Sequence, residues 1–264
     1  MAKQFQVDTD TSLTTDLLSY YKLEDGNDYY ASNNLSVEGD TTFISGKVNN
    51  AANFPGTDDY LDGGDVLDFE RTDSFSFAFW VKRSAISASM ALICKVASDY
   101  STPGYYFYFE SGNRIRFILT NNLTNNYLMA VTGSNTSTDW QQIILTYDGS
   151  STFAGIHIYV NNSNQDLTDE VHTLSATTLS ASSFQIATKG LTHDYNGLID
   201  ELGIWGKVLS AQERTDLYNS GDGQTMVEPS GPANLKSYNG LAKASMKSIM
   251  GLAIEDVKSI NGLE

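Results

Sequence analysis

Only one cysteine, Cys94, occurs in 264 residues, so no disulfide within the chain holds this fold together. It lies in the apolar run Met90-Ala-Leu-Ile-Cys94 and reads as a small buried hydrophobe. A nucleophilic thiol needs a base beside it, and His157, His172 and His193 stand in no supporting motif. Positive charge is also short: 16 basic residues face 32 acidic ones, for a net charge of −16. Such a surface repels phosphate backbones, which argues against a nucleic-acid partner. No apolar run approaches the roughly 20 residues that carry a helix across a bilayer, so membrane insertion is not expected. The opening MAKQFQVDTDTSLTTDLLSYYKLED lacks the apolar core of a secretory signal. Proline is scarce as well, with four in the chain, which leaves long stretches free to pair as strands.

Tyrosine, phenylalanine, threonine and asparagine are plentiful, the composition of short strands joined by polar turns. Phe75, Phe77, Phe79 and Val81 share one face of a period-two run, with Ser76 and Ala78 on the other. Their stripe is read as core. Tyr105-Tyr-Phe-Tyr-Phe109 and Arg114-Ile-Arg-Phe-Ile-Leu119 flank Glu110-Ser-Gly-Asn113, a four-residue hairpin loop. Asp148-Gly149 and Asn161-Asn162 mark further turns. These patterns predict an all-β chain of two antiparallel sheets packed face to face.

Residues 197–221, GLIDELGIWGKVLSAQERTDLYNSG, carry the most information. A strand from Leu198 to Trp205 holds the acidic pair Asp200 and Glu201. Ser210-Ala-Gln-Glu213 then has the form of a capping box, opening a helix of about two turns through Leu217 that stops near Gly221. Upstream, Gly46-Lys47 leads into Ala51-Ala-Asn-Phe-Pro-Gly-Thr-Asp-Asp-Tyr-Leu61 and then Phe75-Ser-Phe-Ala-Phe-Trp80-Val. In that order the segments resemble laminin-G-like domains of the concanavalin A-like lectin/glucanase group, across roughly residues 17–222. The resemblance implies a two-sheet jelly-roll sandwich with one short C-terminal helix. It leaves function open, because the architecture hosts many activities.

Retaining glucanases of this fold need two carboxylates about 5–5.5 Å apart on one strand face. Asp200 and Glu201 are adjacent, and adjacent strand residues point to opposite faces, so the expectation is that no such dyad forms and the chain is not an enzyme. The resemblance further implies one structural calcium ion, with Asp28 and Asp200 as its carried-over positions, although Tyr29-Tyr-Ala-Ser32 replaces the usual loop pattern. For Asp200 the alternative is a carboxylate that accepts loop N–H bonds and staples the closing strand. Asp58 and Asp59 read as solvated turn residues. For glycan binding, Tyr29, Tyr30, Tyr127 and Tyr195 fall in predicted loops beside amides and carboxylates such as Asn126, the chemistry of sugar recognition.

The last residues differ in kind. Leu235-Lys-Ser-Tyr-Asn-Gly-Leu, Met246-Lys-Ser-Ile-Met-Gly-Leu and Val257-Lys-Ser-Ile-Asn-Gly-Leu repeat with a period of 11, and each glycine should turn the chain. Such repeats look like those of phage structural proteins and of some surface proteins. The organisation expected is an N-terminal extension over residues 1–16, the jelly roll over 17–222, a linker over 223–233 and a docking or assembly tail over 234–264. The tail either packs on its own domain, docks to other virion proteins, or self-associates into a homo-oligomer. Together these features point to a non-enzymatic virion surface protein, a phage capsid or tail decoration or adhesin, with host cell-surface polysaccharide as its ligand. A secreted or cell-surface carbohydrate-binding module, extracellular in location, is the alternative.

Overall fold

In this computed structural model the described residues are 13–86, 89–97, 99, 101–169, 173–188 and 193–226, with four short tail strands within 237–253. The chain divides into a body, Asp16–Thr225, and a second unit made of Met1–Thr15 with Met226–Glu264.

Two eight-stranded antiparallel sheets form the body, the sandwich that the alternating pattern predicts. The first runs Ser163–Asn164, Ile156–Val160, Gln141–Tyr147, Phe75–Arg83, Gly197–Trp205, Asn50–Phe54, Thr42–Ser45, with Leu17–Tyr21 also paired to Gly197–Trp205. The second runs Leu167–Asp169, Asn126–Ser134, Arg114–Asn122, Gly104–Phe109, Met90–Lys95, Gln185–Ile186, Tyr60–Asp62, Ser36–Glu38. Hairpin neighbours keep the register their turns set. Val160 pairs with Ser163, and Asn161 and Asn162 between them both take left-handed φ values of 50° and 60°. Asparagine tolerates that region, which suits a two-residue turn between twisted strands.

Period two puts Phe75, Phe77 and Phe79 between the sheets, where they meet rings from the second sheet. Phe79 lies edge-on to Phe107 at 5.7 Å, and Phe75 lies edge-on to Phe117 at 6.2 Å. Edge-to-face contacts at this range add to plain area burial. The opposite face of the strand Phe75–Arg83 is buried too. Trp80 stacks on Tyr218 with ring centroids 5.9 Å apart. Ser76 donates its hydroxyl to the Lys207 carbonyl and accepts from Leu209 N–H. The segment after the closing strand therefore covers this sheet from outside. Cys94 is fully buried, as its apolar setting requires.

The helix Ala211–Tyr218 opens on the capping box expected of it. Ser210 Oγ accepts from Glu213 N–H, and Glu213 Oε2 accepts from Ser210 N–H at 2.8 Å. Its end differs from the expectation. Asn219 takes the left-handed cap at φ 46°, two residues before Gly221.

In the second unit, Ser237–Tyr238 pairs with Leu241–Ala242, and Ser248–Ile249 pairs with Leu252–Ala253. Residues 239–240 and 250–251, with two of the three glycines the repeat singled out, lie outside the described residues. Gly262, residues 1–12 and residues 227–236 lie outside the described residues, and with them most of the expected extension and linker.

Phe77 contacts rings on three sides, Phe69, Phe75 and Tyr105. Replacing it by alanine removes those contacts and leaves a cavity, so Phe77→Ala should lower unfolding free energy by about 3–5 kcal/mol. Urea denaturation of the two proteins followed by tryptophan fluorescence measures this.

Candidate functional site

The early loop, residues 24–34, is assembled around one carboxylate. Asp28 Oδ1 accepts backbone N–H bonds from Tyr20 at 3.0 Å, Tyr30 at 2.9 Å and Ala31 at 3.0 Å. Oδ2 accepts from Asn33 N–H at 3.3 Å. Further ties close the loop: Leu35 N–H donates to the Gly26 carbonyl, and Tyr21 donates its hydroxyl to the Asn33 carbonyl at 2.8 Å. A Cβ on Gly26 would stand 2.4 Å from the Leu35 oxygen, so only glycine permits that approach.

On this frame sit Tyr29 and Tyr30. Tyr30 is 49% exposed. Tyr29 is half-buried, donates its hydroxyl to Asp25, and lies under the Lys22 ammonium, 4.1 Å from the ring centre. Asn27 donates its side-chain amide to the same Asp25 carboxylate at 2.6 Å. Two tyrosines, an amide and a carboxylate thus share one hydrogen-bonded loop, with the Lys22 ammonium beside it. Aromatic faces pack on sugar C–H surfaces, and the polar groups suit hydroxyls.

Tyr20 joins this loop to a second feature. Its N–H bonds Asp28, and its hydroxyl donates to Glu201 Oε2. Here the structure corrects the strand geometry expected for Asp200 and Glu201. The ladder with Phe75–Arg83 shifts register between Asp200 and Gly203, and Glu201 adopts φ 54°. Ile199, Leu202 and Ile204 stay in the core, so the extra residue of this β-bulge leaves both acids on the outer face. Asp200 Oδ2 accepts from Lys47 and Val48 N–H at 2.8 and 2.9 Å. Glu201 Oε1 accepts the Thr225 hydroxyl at 3.0 Å. Although they share a face, these acids do not form an open dyad. Asp200 is 0% and Glu201 7% exposed, and their bonded oxygens meet donors of their own chain.

Burial raises the Asp200 carboxyl to about 7, more than its backbone N–H bonds and the added effect of Glu24 alter. Burial likewise raises Glu201 to about 8, with the neighbouring Asp200 charge pushing the same way against the Tyr20 hydrogen bond. Asp200 Oδ1 and Glu24 Oε1 are both buried without a hydrogen-bond partner among the described residues. An ionised oxygen in that position is costly, and a proton relieves it.

The residues do not fit the calcium site implied by the sequence. Asp28 spends both oxygens on four N–H donors, and a cation in their place would dismantle the loop. Asp200 closes a different turn, in the stapling role held open for it. Among the described residues no group of three or more His, Cys, Asp or Glu is arranged to hold a metal. Asp59 needs correcting as well. It is 3% exposed and accepts from Gly56 and Asp40 N–H at 2.7 and 2.6 Å, as a third carboxylate staple.

The other expected ligand residues scatter. Tyr195 is not on a loop surface: it is fully buried, edge-on to Phe54 at 6.3 Å, with its hydroxyl donating to the Leu198 carbonyl. Tyr127 is 8% exposed, on the outer face of the second sheet with Met129, Ile118 and the stacked pair Tyr106–Tyr108, whose centroids are 4.2 Å apart. Asn126, at the rim of that face, accepts from Ser175 and Ala176 N–H. Of these residues only Tyr29 and Tyr30 stand side by side with their rings at least partly exposed. Tyr20, Glu24 and Glu201 were not foreseen as parts of the site.

The sandwich and its closing segment place the chain in a family. Residues 55–213 match Laminin_G_3, the concanavalin A-like lectin/glucanases superfamily, and the chain belongs to it. A search of curated protein sequences returns no match. The fold is similar to the binding domain of Paraclostridial Mosquitocidal Protein 1 (TM-score 0.63, 15% identity, 79% of this chain and 53% of that one). It is also similar to domain 4 of AbnA, a GH43 extracellular arabinanase from Geobacillus stearothermophilus, in complex with arabinotriose (0.54, 16%, 76% and 97%). A third is the binding domain of botulinum neurotoxin DC in complex with rat synaptotagmin II (0.61, 17%, 79% and 52%). The chain spans about half the length of the two toxin binding domains.

The acid pair sets a pH dependence. In the folded chain both carboxyls stay protonated at pH values where the unfolded chain has released those protons. The folded state then binds more protons, so their contribution to stability falls as pH rises from about 4 to about 8. The double variant Asp200→Asn, Glu201→Gln should flatten that fall. Thermal melts at pH 5 and pH 8.5 compare the two proteins, and an unchanged slope contradicts the assignment.

Proposed function

We propose that the chain is a non-catalytic recognition module that binds glycan through the early loop and is displayed on a virion surface. One observation carries the recognition role: Tyr30 stands half-exposed beside Tyr29, Asp25 and Asn27 on a loop whose backbone Asp28 holds in place. A loop already ordered loses little freedom on binding, which favours ligands as weakly held as single sugars. The arabinotriose complex of the similar AbnA domain supports a saccharide ligand. The non-catalytic character is supported by the burial of the Asp200–Glu201 pair.

Display on a particle draws support from the tail repeats, whose pattern is like that of phage structural proteins. Residues 234–264 then attach the body to other virion proteins, and many copies make weak binding to host cell-surface polysaccharide effective. The AbnA similarity favours a second reading, an extracellular carbohydrate-binding module of a cellular organism. Deleting residues 231–264 separates the two: a particle component loses incorporation and keeps ligand affinity.

The full-length chain should bind a defined subset of a glycan array, in calcium and in EDTA alike. Tyr30→Ala should weaken that binding by about tenfold, equivalent to about 1.4 kcal/mol, without moving the melting temperature. Asp28→Ala should weaken binding and lower the melting temperature together. Silence on the array in both buffers rejects the glycan reading.

A further inference from the structure

The strand Phe75–Arg83 ends on a buried cation. Period two carries Phe75, Phe77, Phe79 and Val81 into the core, and Arg83 follows them onto that face at the end of the sandwich. Only 3% of it is exposed. Its guanidinium lies over the Phe109 ring, 4.0 Å from the centre. Nη2 donates to the Asn135 and Ser137 carbonyls at 2.5 and 2.9 Å. Nε and Nη1 are buried as well, and neither has a hydrogen-bond partner among the described residues.

Other cations of the body are matched. Lys95, buried as deeply, meets Asp65 at 2.9 Å and Asp68 at 3.4 Å, and Arg114 and Arg116 share Glu110. Burial pulls the proton affinity of Arg83 below the usual arginine value, and among the described residues only the Tyr195 hydroxyl acts the other way. Asp200 and Glu201 relieve their burial by holding protons, but a guanidinium keeps its charge throughout the working pH range. A buried charge with donors unspent is costly until an acceptor of opposite sign meets it.

The position gives access. The carbonyls that Arg83 holds belong to the turn after the strand Asn126–Ser134, where Ser134, Thr136 and Thr138 are exposed and Asn135 and Ser137 half-buried. The guanidinium thus lies one layer beneath a rim of amides and hydroxyls. A carboxylate is the planar acceptor that matches its geometry. The net charge of −16 opposes anions at long range, so occupancy depends on direct hydrogen bonds to Arg83 rather than on general attraction.

We propose that Arg83 anchors a carboxylate-binding site at the end of the sandwich, filled by an acidic sugar or by a free small carboxylate. The site shares no residue with the early loop and goes beyond the recognition role argued for that loop.

Titrating the full-length chain with galacturonate, acetate and galactose at constant ionic strength separates the sources. Both carboxylates should raise the melting temperature saturably, and neutral galactose should not. Galacturonate acting about tenfold or more below acetate assigns the site to an acidic sugar, and equal potency assigns it to a free carboxylate. In isotope-labelled protein the Arg83 Nε–Hε resonance should move along the same curve. Arg83→Lys keeps the charge without the geometry and should weaken the response about tenfold. Arg114→Gln should leave it unchanged. If neither carboxylate moves the Arg83 resonance, that side chain only staples the turn at Asn135–Ser137 and the proposal is overturned. It is overturned equally if Arg83→Lys responds at the parent's concentrations, because the anion then binds elsewhere.

Discussion

The strand Gly197–Trp205 has to change neighbours partway along one edge, and much of the body is arranged around that change. Gly197, Leu198 and Ile199 pair with Asn50–Phe54, whereas Leu202 to Trp205 pair with Leu17–Tyr21. On its other side it stays with Phe75–Arg83 throughout. Where two strands meet end to end against one side of a third, backbone groups at the break are left without ladder partners. The bulge at Asp200-Glu201 falls at this junction. Its acids face the same way, and Asp200 takes the N–H groups of Lys47 and Val48 beside one neighbour while Glu201 takes the Tyr20 hydroxyl on the other. Gly46 is part of the same fit: a Cβ there would lie 2.7 Å from Asp200 Oδ2.

That arrangement also explains why two adjacent carboxyls tolerate burial. An ionised pair so close in a dry site repels itself, and raised proton affinity is the physical outcome. Proton uptake keeps the junction closed without a basic partner. The ammonium of Lys47, whose main-chain N–H bonds Asp200, lies over the Trp80 ring at 4.7 Å. Strand pairing, bulge and proton affinity are thus consequences of one topological requirement.

Local chemistry was legible in the sequence, and tertiary compromise was not. The capping box needs only Ser210 and Glu213 at their spacing, and it formed as read. The alternation of Phe75, Phe77 and Phe79 reports a face directly, and those rings are core. Alternation failed at Glu201 because it presumes an unbroken strand, while the bulge answers to a change of neighbouring strand involving residues about 150–180 positions away. Tyr195 misled for a related reason. Its flanks bond outward, Asp194 accepting from Thr188 and Asn196 donating to the Pro55 carbonyl, while the ring between them turns into the core. Asp28 and Asp59 looked like a metal ligand and a solvated residue, yet both satisfy backbone N–H groups. Composition does not distinguish a carboxylate that binds cations from one that binds amides; only the surrounding loop does.

Tyr20 makes the early loop, the proposed recognition surface, and the strand junction mechanically continuous. Its main-chain N–H enters the Asp28 cluster that seats Tyr30, and its side chain reaches Glu201. Moving the loop away from Leu17–Tyr21 therefore strains a hydrogen bond at the bulge, and loosening the bulge frees one anchor of the loop. A ligand that required the loop to open would have to supply the free energy of both. Ligands that fit Tyr29, Tyr30, Asp25 and Asn27 as they stand incur no such cost. If the loop is the binding surface proposed for it, its selectivity would follow from the stiffness of what lies beneath it.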